Sequence, residues 1–181
     1  MPAFLTACFA FGGVEALKAA GLGSYVTSFF HFLGILASFS MGFMSDRWGR
    51  AVVLLALSGV SSTCSCLFGW TFGWPLVVTI GLGAVYAFSS LGDSPVLSAA
   101  LSEAADPAYL GAAFGIRSLL GFGAGAVAPL VFGLVLDWTN TGAIGRLYVH
   151  WGWAFSSLGL MGLGAIATAY FYKRGTEAVA K

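Results

Sequence analysis

Charge is what this chain has least of. Asp, Glu, Lys and Arg make up 8% of its 181 residues, where a water-soluble domain carries roughly a quarter. With 59% hydrophobic residues and a mean hydropathy of +0.90, the composition excludes a domain dissolved in water. A net charge of +1 leaves no basic stripe to neutralise phosphates, which argues against nucleic acid as a partner. Cysteine is scarce too. Cys8, Cys64 and Cys66 sit in apolar surroundings with no ligand partners at metal spacing. Cys64 and Cys66, two apart on one helix, point in different directions, so the thiols read as core packing with no metal and no cofactor. There is no Gly-rich loop ending in Lys and Ser or Thr after a strand, so ATP is not the direct energy source. An enzyme would need a nucleophile beside a base. Ser94 next to Asp93 is the nearest approximation, and no histidine is placed to serve it.

Long apolar runs are what the chain does have. Crossing ~30 Å of hydrocarbon takes about 20 helical residues, and the expected spans are Leu22–Met44, Ala51–Phe72, Pro75–Leu101, Tyr109–Leu136 and His150–Tyr172. They are too long, and too uniform in polarity, to be strands of an outer-membrane barrel. Met1–Phe11 is apolar but short, and no basic region precedes it as in a signal peptide. It is expected to be a helix that has lost its first turns by N-terminal truncation; a re-entrant or interfacial helix is the alternative. The 26 glycines lie mostly within the apolar runs, which suits membrane helices. The fold class is therefore all-α: a polytopic membrane helix bundle of five full spans and a short N-terminal helix. One bundle covers residues 1–174, and 175–181 form a polar tail.

Between the first two spans lies a charged turn bearing Gly42, Asp46, Arg47, Gly49 and Arg50. The two glycines permit a tight turn and close backbone approach. If this turn is cytoplasmic, alternation puts Arg47, Arg50, Lys173, Arg174 and Lys181 inside and leaves Lys18 and Arg146 outside, as the positive-inside rule requires. The C-terminus is then cytoplasmic. The third span ends on the same side, so Arg50 is expected to pair with Glu103. Asp46 is expected to face the positive N-terminal end of a helix.

Two charges lie deep. Asp93 and Arg117 are each twelve residues from the hairpin centre at Ala105, about 18 Å at a rise of 1.5 Å per residue. A lone charge at that depth costs roughly 2.5–3.5 kcal/mol on insertion scales, so the two are expected to pair. The pair either docks two helices or forms a substrate or proton-coupling site. His31 lies mid-span near Tyr25, Thr27 and Ser28, where it either relays protons or is hydrogen-bonded to a neighbour. His150, beside Trp151, reads as an interfacial anchor. Gly121, Gly125, Pro129 and Gly133 recur every four residues on the fourth span, and Gly34, Ser38 and Gly42 do so on the first. Such stripes are expected to pack helices closely, and Pro129 could in addition let its helix bend.

The charged turn resembles the loop of major facilitator superfamily transporters, whose form is G-x-x-x-D-R/K-x-G-R followed by another basic residue; here that last position is Ala51. The stretch from Arg117 to Asp137 is similar to the eleventh helix of that family, and Trp151–Phe155 with Lys173 and Arg174 resembles its end. The likeness runs from about Leu22 to Arg174. It implies one six-helix half of a twelve-helix transporter, the C-terminal half, in the plasma membrane. The implied function is secondary active or facilitative transport of a small solute by alternating access, with protons as a possible coupling ion in a symport. A second six-helix half or a second copy would be the partner. The implied role of Gly42, Asp46, Arg47, Gly49, Arg50 and Glu103 is a charge cluster clasping one conformation. A non-transporting membrane subunit or a truncated remnant is the alternative.

Overall fold

The computed structural model describes residues 1–141 and 148–179; Arg146 and Lys181, used above for orientation, lie outside them. Among the described residues seven α-helices follow one another: α1 (Pro2–Phe11), α2 (Ala16–Trp48), α3 (Arg50–Phe68), α4 (Leu76–Leu91), α5 (Asp93–Ala104), α6 (Leu110–Thr139) and α7 (Gly152–Val179). Short 3₁₀ turns, Gly69–Thr71 and Pro107–Tyr109, end α3 and lead into α6. Among the described residues five stretches are long and apolar enough to cross a membrane: Ala16–Trp48, Arg50–Thr71, Leu76–Ala104, Pro107–Thr139 and Gly152–Thr176. α1 folds back on the start of α2, where Gly23 gives Thr6 and Pro2 room to approach. Its residues Phe4 and Leu5 are fully buried.

Two expected boundaries are corrected. The charged segment is not a loop: α2 continues through Asp46 and Arg47 to Trp48, and α3 begins at Arg50. The whole turn is Gly49, whose φ of 89° is a conformation that side chains disfavour. The third span is not one helix either. α4 stops at Leu91 and α5 starts at Asp93. Pro95 is the cause, because its missing N–H leaves the Leu91 carbonyl without its helical partner. The Ser38 hydroxyl of α2 approaches that carbonyl at 3.5 Å. Gly92 lies so close to α2 that a Cβ there would come within 2.9 Å of the Met41 side chain, so the break is packed against its neighbour.

α3 is the centre of the bundle, with α2, α4, α5 and α7 around it. Its contact with α7 is made of small residues. A Cβ at Gly159 would come within 2.8 Å of the Ser62 carbonyl and 3.0 Å of the Cys66 amide. Backbones this close allow hydrogen bonds between helices: Ser65 Oγ donates to Phe155 O at 3.0 Å and Ser156 Oγ to Cys66 O at 3.2 Å. In lipid, where apolar contact alone drives little, such packing and bonding hold helices together. At one end an aromatic cluster joins α1, α3, α6 and α7, with Phe4–Phe68, Phe68–Phe155 and Phe132–Phe155 ring centres 4.9–5.0 Å apart. Cys8 and Cys64 are buried and Cys66 is partly so.

α6 differs from the rest. Of the five long stretches it is the least buried, and it meets α7 near its C-terminal end, where Leu136, Phe132 and Val135 join the aromatic core. Asn140 clasps the exit of α6. It donates to Leu136 O and His150 O and accepts from the amides of Val149 and His150.

Candidate functional site

The charged elbow is built where α2, α3, α5 and α7 end together. Arg50, the first residue of α3, carries the guanidinium at its centre. Nη2 donates to Glu103 Oε1 at 2.9 Å and Nε donates to the same oxygen at 3.2 Å. Nη1 reaches Asp46 and the hydroxyl of Ser45. Ser45 is almost fully buried, and its hydroxyl donates to Gly42 O at 2.7 Å. The structure thus brings Arg50 and Glu103 together as expected, with Asp46 one helical turn back. Asp46 and Glu103 are more than half exposed, and pairs of that kind contribute only about 0.2–1 kcal/mol each. Their value lies in what they connect: one side chain ties α2, α3 and α5. Tyr172, Lys173 and Thr176 of α7 line the same cavity of about 560 Å³. Arg47 stands apart, stacked over Phe43 at 5.4 Å on the exposed face of α2. Gly42 lies inside α2, and a Cβ there would meet nothing within 4 Å. Its expected part in a tight turn is therefore not seen, since the turn lies seven residues later at Gly49.

The deep charges make no direct ion pair, although Arg117 still attracts the Asp93 carboxylate through space. Asp93, the first residue of α5, lines a cavity of about 310 Å³ with Ser58 of α3 and Thr168 and Tyr172 of α7. Arg117 lies on the other side of α5, in a cleft of about 820 Å³ between α5 and α6. Its Nη1 donates to Ser98 Oγ at 2.8 Å, and its Nη2 to Ser94 O at 3.1 Å and Ser94 Oγ at 3.3 Å. Phe114 lies under the guanidinium at 6.0 Å. Residue counting fixes depth but not azimuth. Successive helical residues turn by about 100°, so Ser94 faces α6 while its neighbour Asp93 faces the bundle.

The remaining candidates are placed as follows. His31 Nδ1 lies 2.8 Å from Thr27 O in its own helix, on an exposed face, the contact that the hydrogen-bonded alternative calls for. His150 lines a pocket with Trp70, Trp151 and Trp153 at the end opposite the elbow. There Asp137 accepts from Tyr148 Oη at 3.0 Å, which holds the phenol above its ordinary pKa. The stripe Gly121, Gly125, Pro129 and Gly133 was expected to pack helices. Among the described residues it does not: a Cβ at any of its three glycines would meet nothing within 4 Å. On α2 the corresponding stripe is filled in part, with Leu91 seated on Gly34.

Sequence reasoning missed Ser45 and Ser98, and weighed Ser94 only as a nucleophile beside Asp93, not as a partner of Arg117. A signal was available for Ser94 and Ser98: serines at 94, 98 and 102 recur every four residues and so line one helical face.

A family model described as Major Facilitator Superfamily matches residues 4–181. No curated protein and no solved structure matches the chain.

Proposed function

Because the chain belongs to the major facilitator superfamily, and so is a multi-pass transporter of that type, we propose that it moves a small solute across the plasma membrane by alternating access, driven by protons. The family match covers nearly the whole chain, and the members of this family are transporters rather than enzymes. The observation that carries the reading is the Arg50 clasp, which ties α2, α3 and α5 at one end of the bundle. A clasp made of exposed, individually weak bonds can open and close within a transport cycle, whereas the α3–α7 contact at the centre moves as one piece. The elbow is cytoplasmic in this reading, with Lys173 and Arg174 on the same side and the C-terminus inside, in keeping with the positive-inside rule.

Asp93 is the proton-coupling group. It lies at membrane depth, at a helix break, beside a cavity with hydroxyl neighbours, and ionisable residues so placed mark proton and substrate routes. The partner is a second six-helix half or a second copy, seated on the open glycine stripe of α6. The test is uptake into liposomes containing the purified chain, with and without an inward proton gradient, over a panel of small solutes. Replacing Asp93 by Asn should abolish gradient-driven accumulation and preserve exchange at equal pH. A folded chain that moves no solute, alone or with its partner half, would instead be a non-transporting membrane subunit.

A further inference from the structure

We propose that the end of the bundle opposite the elbow holds one phospholipid with a zwitterionic headgroup. Its ammonium lies against tryptophan faces, and one acyl chain runs between α6 and α7.

Two adjoining hollows carry the argument. The first, of about 410 Å³, lies among Trp70, Thr139, His150 and Trp153. The second, of about 420 Å³, is a groove between Val135 and Trp138 of α6 and Ser157 and Leu160 of α7. Thr139 and Trp153 line both. The Trp70 indole N–H also donates to Ser156 Oγ, on the wall of the groove, at 3.1 Å. The two differ in depth. Candidate spans end at Thr71 and Thr139 and begin at Gly152, so the first hollow sits at headgroup level. From Trp153 to Leu160 the groove runs inward along α7 for about 10 Å at the helical rise, into the hydrocarbon.

A polar mouth that opens into an apolar slot selects an amphiphile. A water-soluble solute would leave the slot empty, and a pure hydrocarbon would leave the mouth unfilled. The lining also sets the charge of the headgroup. Among the described residues neither hollow is lined by Lys, Arg, Asp or Glu, so a net negative headgroup finds no fixed cation there. Indole faces attract ammonium groups. Trp70 and Trp153 are each roughly half exposed, with ring centres 5.4 Å apart and planes at 73°, which makes the corner of an aromatic cage. Asp137, beside Trp138 in sequence, adds negative charge at this end. The His150 imidazole lines the same mouth, where a ring N–H can donate to a phosphate oxygen. A general aromatic belt at the membrane surface would need no such slot. Trp74 is exposed at the same end but lines neither hollow, and so provides the control.

The test is native mass spectrometry of the full chain released from detergent micelles, with lipids of identical acyl chains added at equal concentration. One phosphatidylethanolamine or phosphatidylcholine should stay bound, about fivefold or more above phosphatidylglycerol. Trp153→Leu keeps apolar bulk but removes the indole face, and should abolish that preference. Ser157→Phe fills the groove and should lower retention of every lipid by a similar factor. Trp74→Leu should change neither. The lipid series on the unaltered chain requires no variant to fold. Absence of a retained phospholipid, or phosphatidylglycerol held as tightly, would overturn the proposal. So would an equal loss in Trp74→Leu, or unchanged binding in folded Trp153→Leu and Ser157→Phe chains. Displacement by free phosphocholine at the lipid's own concentration would overturn it too, since the groove would then contribute nothing.

Discussion

α6 and α7 are two glycine-rich helices of similar length, 30 and 28 residues, and they use their glycines in opposite ways. On α7, Gly159 and Gly162 are pressed against Cys66 and Ser62 of α3, and Gly152 lies against the Trp70 ring. On α6, Gly121, Gly125 and Gly133 face open space. The difference lies in the partner. α3 offers Ser62, Ser65 and Cys66, small and able to bond across the gap, whereas among the described residues nothing comes within 4 Å of a Cβ at Gly121, Gly125 or Gly133 of α6. A glycine stripe permits close approach; the surface opposite decides whether it happens.

The sharpest way to break this comparison is to add bulk to both helices. Gly159→Leu should cost about 3 kcal/mol or more, because besides the Cys66 sulfur the Ser62 carbonyl and Cys66 amide stand in the way, and backbone cannot step aside. Thermal unfolding in micelles would measure it, and an unchanged midpoint would contradict the tight α3–α7 contact. An intermediate effect is expected at the elbow. A double-mutant cycle on Arg50→Ala and Glu103→Gln should return a coupling of about 0.2–1 kcal/mol, shrinking in high salt. A larger, salt-insensitive value would mean that the clasp is a fixed strut rather than a latch. The smallest effect belongs to α6. Gly125→Leu should change the stability of the isolated chain by no more than about 0.5 kcal/mol, while reducing association with a second bundle in crosslinking. A large loss of stability without a partner present would show that the stripe is already occupied.

Much of this was legible from residues alone, for reasons that differ by feature. The spans follow from run length and the scarcity of charge, so their number and approximate limits could be read directly. The Arg50–Glu103 contact followed from alternation, since two spans joined by hairpins must end side by side. What escaped was rotational or remote. Asp93 and Arg117 agree in depth, but whether their side chains meet depends on azimuth about α5, which counting does not supply. The α3–α7 contact joins residues about ninety positions apart, such as Ser65 and Phe155, and nothing local in either helix names the other. Pro95 stood in plain view, yet its cost to the Leu91 carbonyl becomes visible only once Ser38 is seen beside it.

The joint at Gly49 bears on how the molecule is made. With one residue between α2 and α3, no slack polypeptide remains to wait at the headgroup layer while one helix enters and the other follows. The two are therefore expected to insert together as a folded-back wedge, with Arg47 and Arg50 held at the surface. Lengthening that joint by a few flexible residues would uncouple the two insertions and let the nascent chain stall half-threaded.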